Sequence, residues 1–193
     1  MAQTAKTSYT AEEYLALDRD AADRSEYYRG RLYLMAGGSV NHSLISSNVN
    51  AELNLGLRRT PCRTLTSDMK VHVQGNGFYA YPDAVVICGE IETLSGHDDI
   101  VTNPTLLVEV LSPSTASYDR SGKFELYRAL PTFAHYLLVD QDRVYVEYFR
   151  RTPEGWLLQT FDDLAQAVHL ALSGGVVNLA LADVYDRVAF APA

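Results

Sequence analysis

Two acids and a lysine stand out by the company they keep. Asp83 follows Pro82 and leads into the apolar run Ala84-Val85-Val86-Ile87-Cys88, Glu109 lies within Leu106-Leu107-Val108-Glu109-Val110-Leu111, and Lys123 follows on a stretch of helical character. Both runs read as buried strands. An ionised carboxylate taken out of water costs several kcal/mol unless a cation or hydrogen bonds compensate. Magnesium and its relatives take oxygen ligands, often one or two carboxylates completed by waters and substrate phosphates. The pattern therefore suggests Asp83, Glu109 and the Val110 carbonyl as ligands of Mg2+ or Mn2+, with Lys123 orienting or deprotonating a water. Such a centre activates water and stabilises the charge that builds on an attacked phosphate, so phosphodiester hydrolysis is the first chemistry to expect. An ion pair between Glu109 and Lys123 would leave the same trace in the sequence.

The elements that must position these groups are legible in outline. Thr10 and Glu13 form a capping-box pattern ahead of a short first helix. Ser25 to Tyr28 and Leu32 to Met35 flank Arg29-Gly30 as a hairpin, with Glu26 in its first strand as a possible third acid of the site. Leu44, Ile45, Val49, Leu53 and Leu57 recur at helical spacing over about Asn41 to Arg59, predicting the longest helix, with Asn41 as its cap and His42 at its start as an accessory group. Short strands are expected at Arg63 to Ser67 and Lys70 to Gln74, then a turn at Gly75-Asn76-Gly77. Residues 89 to 103 read as a long surface loop. A helix is predicted from about Tyr118 to Leu130, stopped by Pro131; Tyr127 shares a face with Lys123 and is the second accessory candidate. Strands follow at His135 to Val139, Val144 to Phe149 and Trp156 to Phe161, and the tail after Asp162 mixes a helix-like segment with Gly174-Gly175.

These elements predict an α/β fold with a central mixed sheet flanked by helices. A length of 193 residues suits one domain, 1–193, with 1–8 flexible and 162–193 as a C-terminal cover. Cys62 and Cys88 form no C-x-x-C pair and read as reduced thiols. No run of eighteen apolar residues occurs and residues 1–7 lack a signal-peptide core, so the expected location is the cytoplasm. No H-x-x-x-H spacing, G-x-S-x-G elbow or Gly-rich phosphate loop is present. The net charge of −8 runs against a simple nucleic-acid binder.

Pro82-Asp83 followed by Glu109-Val110-Leu111 resembles the PD-(D/E)XK pattern of the restriction-endonuclease-like fold, with Leu111 standing where the pattern has lysine. Some members of that superfamily carry the lysine on the following helix, which suits Lys123. The run from Glu109 to Thr115, then Tyr118-Asp119-Arg120, Lys123 and Tyr127, with Glu26-Tyr27 and His42 upstream, resembles the Uma-two family of endonucleases over roughly residues 10 to 150. The resemblance implies a metal-dependent nuclease fold with DNA as substrate and a homodimer as a common working form. Two alternatives remain beside it. One is a catalytically silent nuclease fold that binds nucleic acid or protein; the other is a metal-dependent hydrolase of a small phosphate ester, which the acidic charge suits better.

Overall fold

The capping box at the first helix forms: Thr10 Oγ1 accepts from the Glu13 N–H at 3.2 Å and Glu13 Oε2 accepts from the Thr10 N–H at 2.9 Å, opening α1 (Ala11–Asp20). The computed structural model describes residues 8–35 and 37–190, so the expectation of a flexible start falls, Ser8 apart, outside the described residues. Strands β1 (Ser25–Tyr28) and β2 (Arg31–Leu34) pair across Arg29 and Gly30, both at positive φ. Helix α2 (Val40–Gly56) starts one residue before the expected cap. Ser39, not Asn41, caps it, its hydroxyl accepting from the His42 N–H at 3.1 Å.

Next come β3 (Cys62–Thr66), β4 (Lys70–Val73), β5 (Phe78–Ala80) and β6 (Ala84–Cys88). The stretch read as loop contains β7 (Ile100–Val101), which pairs in parallel with β4. Strand β8 (Leu106–Leu111) is buried at every residue, as a strand covered on both faces must be. The helical crossover that follows starts earlier than expected and is not one regular helix. It runs through α3 (Ala116–Tyr118), a π-helical turn Asp119–Lys123, and α4 (Phe124–Tyr127). The chain continues through β9 (His135–Asp140), β10 (Val146–Thr152) and β11 (Gly155–Phe161), then β12 (Ala167–Leu172), β13 (Gly175–Ala180) and α5 (Leu181–Val184). The helix-like reading of the tail is thus corrected to a hairpin. Val168, Leu170 and Leu172 are buried at a period of two, which only a strand turns to one side.

The central sheet has the order β11-β10-β9-β8-β6-β3, with β8 and β9 parallel and the other pairs antiparallel, so it is mixed. A second sheet, β2-β1-β5-β4-β7, lies across its aromatic face. Val108 and Val110 pack with Ile45, Val49 and Leu53 of α2 and with Val168, Leu170 and Val177 of the last hairpin. Leu107 and Leu111 face the opposite way, into Phe78, Tyr127, Phe133 and Tyr136. Glu109 shares the strand face of Leu107 and Leu111, which carries it toward the crossover.

The reading of two reduced thiols is also corrected. Cys62 and Cys88 are directly opposed in the β3–β6 register and are joined as a disulfide. A sequence separation of 26 gave no hint of this, because strand pairing decides which sulfurs meet. Closing a loop of that length removes denatured-chain entropy equivalent to about 3.5 kcal/mol on the chain-entropy model. The Cys62→Ala/Cys88→Ala protein is expected to unfold at a correspondingly lower urea midpoint than the oxidised protein, with reduced wild type in between or equal to it.

His135, on β9, stacks on Tyr148 and shares a 2.7 Å hydrogen bond with its hydroxyl. Burial, with Arg150 adding to it, pushes the imidazole down to about 4. The unfolded chain binds this proton near pH 6.5 and the folded chain does not, so the contribution is whole above 6.5 and is lost as pH falls toward 4. Comparing His135→Gln with wild type in denaturant melts at pH 7 and pH 4.5 is expected to show wild type losing roughly 2 kcal/mol more than the variant over that interval.

Candidate functional site

Two elements fix Asp83 as it enters β6. From the sheet, the Val110 N–H donates to Oδ2 at 2.7 Å. From α2, the Ser46 hydroxyl donates to Oδ1 at 3.3 Å, the Asn50 amide donates to the Asp83 carbonyl at 3.1 Å, and His42 Nε2 stands 3.5 Å from Oδ2. His42, Ser46 and Asn50 recur every fourth residue and form one stripe of the helix. The hydrogen bond with Asp83 lifts the His42 imidazole above its ordinary range, against the opposing effect of burial. Gly38 leaves room for that ring, since a Cβ there would lie 3.0 Å from Nδ1.

Glu109 is the buried end of the site. Its Oε1 accepts from Lys123 Nζ at 3.2 Å and from the Tyr127 hydroxyl at 2.9 Å. Lys123 Nζ also lies 2.7 Å from Glu26 Oε1 and 3.3 Å from Asp119 Oδ1. All five groups are buried. Burial raises Glu109 well above the ordinary carboxylate range, with Lys123 opposing and Asp119, Asp83 and Glu26 adding to it. Glu26 is raised in the same way, by burial above all. For Lys123, burial works to lower the pKa, but Glu109, Glu26 and Asp119 outweigh it and hold the side chain firmly as an ammonium. That favours an orienting, charge-stabilising role over the removal of a proton.

Asp83, Glu109, Val110, Lys123, Glu26 and His42 therefore line one cleft of about 640 Å³. Tyr127 stands behind it, fully buried, and reaches the site through Glu109. Leu111, on the same strand, is buried in the aromatic layer, while the π-helical turn brings Lys123 in from the crossover. Asp119 was quoted in the sequence without a role, and the structure places it against Lys123. Its spacing of four from Lys123 was the available signal. Ser46 and Asn50 were missed as well, although with His42 they keep the same spacing. Gln141, buried in the cleft wall and bonded to Ser39 Oγ at 2.6 Å, left no signal that sequence reasoning could read.

The donor set suits a hard divalent cation. Four carboxylates, Glu26, Asp83, Glu109 and Asp119, line the cleft with a single ammonium, that of Lys123, which lies against Glu26, Glu109 and Asp119. No three Asp, Glu, His or Cys side chains among the described residues form a ready-made cage. An open pair of carboxylates completed by water and substrate is the arrangement magnesium accepts.

Against solved structures, the chain is similar to a crystal structure described as a putative nuclease belonging to DUF820 from Anabaena variabilis. The TM-score is 0.74 at 18% identity, covering 94% of this chain and 99% of that one. The fold is accordingly the restriction-endonuclease-like one. The family model Uma2, described as "Putative restriction endonuclease", matches residues 11–182, and the chain belongs to that family. Two relatives from Synechocystis sp., both described as uncharacterized, are similar along most of their length. The protein slr1290 is 34% identical over 93% of this chain and 92% of its own; sll1609 is 36% identical over 77% and 85%.

Proposed function

We propose that the chain hydrolyses phosphodiester bonds in DNA, with Mg2+ or Mn2+ held by Asp83, Glu109 and the Val110 carbonyl. The observation that carries this reading is the excess of buried carboxylate around Lys123 in the cleft, in a chain of the Uma2 family. The cation, when bound, supplies Lewis acidity and lowers the pKa of a water. Asp83 reaches the cleft with its orientation already set by Val110, Ser46 and His42, so little reordering accompanies substrate binding. Lys123 donates toward the phosphate oxygens while Glu26 and Asp119 keep its ammonium in position. Tyr127 and Lys123 both donate to Oε1 of Glu109, and the second oxygen would take the cation.

One observation favours the smaller substrate. Among the described residues lining the cleft, Lys123 is the single Lys or Arg, which suits a compact phosphate ester better than a long duplex tract. Incubating the purified protein with Mg2+ or Mn2+ and supercoiled, linear duplex and single-stranded DNA, alongside a chromogenic phosphodiester, separates the readings. Cleavage of DNA that Asp83→Ala abolishes supports the nuclease. Turnover of the small ester alone selects the other hydrolase, and metal-independent DNA binding without cleavage selects the silent fold.

A further inference from the structure

The rim of the cleft is aromatic where a duplex-binding nuclease needs cations. Tyr33 on β2 and Tyr118 at the end of α3 both line it and stack on each other, with centroids 6.3 Å apart and planes 22° from parallel. Tyr33 is 41% exposed, so the pair is partly open to solvent. The Tyr118 ring is held in place from below: a Cβ at Gly122 would lie 2.5 Å from it, so the ring occupies the space that glycine leaves. Asp119, the next residue, belongs to the buried acid cluster, which puts the platform one residue from the site in the chain.

Stacking on an aromatic side chain requires a base whose face is free, and bases inside a duplex have none. Duplex affinity rests mainly on phosphate contacts by Lys and Arg, and this rim offers almost none of them in a chain of charge −8. We propose that the site takes an unpaired DNA strand, with a base adjoining the scissile phosphate stacked on Tyr33 and Tyr118. This rests on the nuclease reading and adds the strand state of the substrate. A single site is sufficient for one strand, so the proposal does not require two copies of the chain.

The test is binding, followed without divalent metal in EDTA, by fluorescence of single-stranded oligonucleotides carrying 2-aminopurine. Wild type is expected to quench the probe and to bind it at least 10-fold more tightly than the same sequence as a duplex. Tyr33→Ala and Tyr118→Leu are each expected to weaken binding by about 10-fold, and Tyr33→Phe to retain it. Circular dichroism melts confirm that each variant is folded. Equal affinity for duplex and single strand, or binding unchanged in folded Tyr33→Ala and Tyr118→Leu, overturns the proposal while leaving the nuclease reading intact. In parallel reactions with Mn2+ in place of EDTA, cleavage that is absent while the stacking signal persists overturns the nuclease reading instead.

Discussion

Lys123→Met is expected to lower the unfolding free energy by about 3–5 kcal/mol near neutral pH, because it strands three buried carboxylates without their cation. Lys123 Nζ lies 2.7 Å from Glu26, 3.2 Å from Glu109 and 3.3 Å from Asp119, and nothing else on the described residues neutralises all three. The deficit has a pH signature. With the ammonium gone, Glu26 and Glu109, already raised by burial, titrate still higher in the folded chain. The folded state then binds protons that the unfolded state releases, so the variant loses stability as pH rises and recovers as pH falls toward the ordinary carboxylate range. Urea melts at pH 5 and pH 8 should show the gap to wild type clearly smaller at pH 5. A gap that does not change with pH would mean that the carboxylates are compensated by something other than Lys123.

Glu109→Gln is expected to act in the opposite sense on stability and to be far more severe for activity. The amide keeps an oxygen for the Tyr127 hydroxyl and removes one negative charge from a fully buried position. Stability should therefore stay within about 1 kcal/mol of wild type or rise. Cleavage should fall by at least about 100-fold, because the amide is a poor partner for a hard cation and for developing charge on the phosphate. Melting curves beside initial rates measured with Mn2+ decide it. Loss of activity together with loss of fold would make Glu109 a structural acid, and full activity in the variant would remove it from the chemistry.

Much of this was legible because the signals are local. Alternation and apolar runs gave β6 and β8, the capping box gave α1, and the spacing of Ile45, Val49 and Leu53 gave α2. What stayed hidden depends on contacts between distant segments. The pairing of Cys62 with Cys88 follows from strand register. The burial of Gln141 against Ser39 joins residues far apart in the chain. The π-helical turn at Asp119–Lys123 leaves no periodic trace, since one turn of altered winding shifts no apolar stripe long enough to read. The tail was misread because Val168, Leu170 and Leu172 fit a short strand only once Gly174 and Gly175 are known to reverse the chain.

Leu111 decides which element has to carry the lysine. Lysine at that position would point into the layer of Tyr127, Phe133 and Tyr136, a second cation where the core is driest, while Lys123 would still hold its three acids. Taking Lys123 away first strands those acids. Moving the lysine between these two placements one change at a time is thus expected to pass through a destabilised protein whichever change is made first.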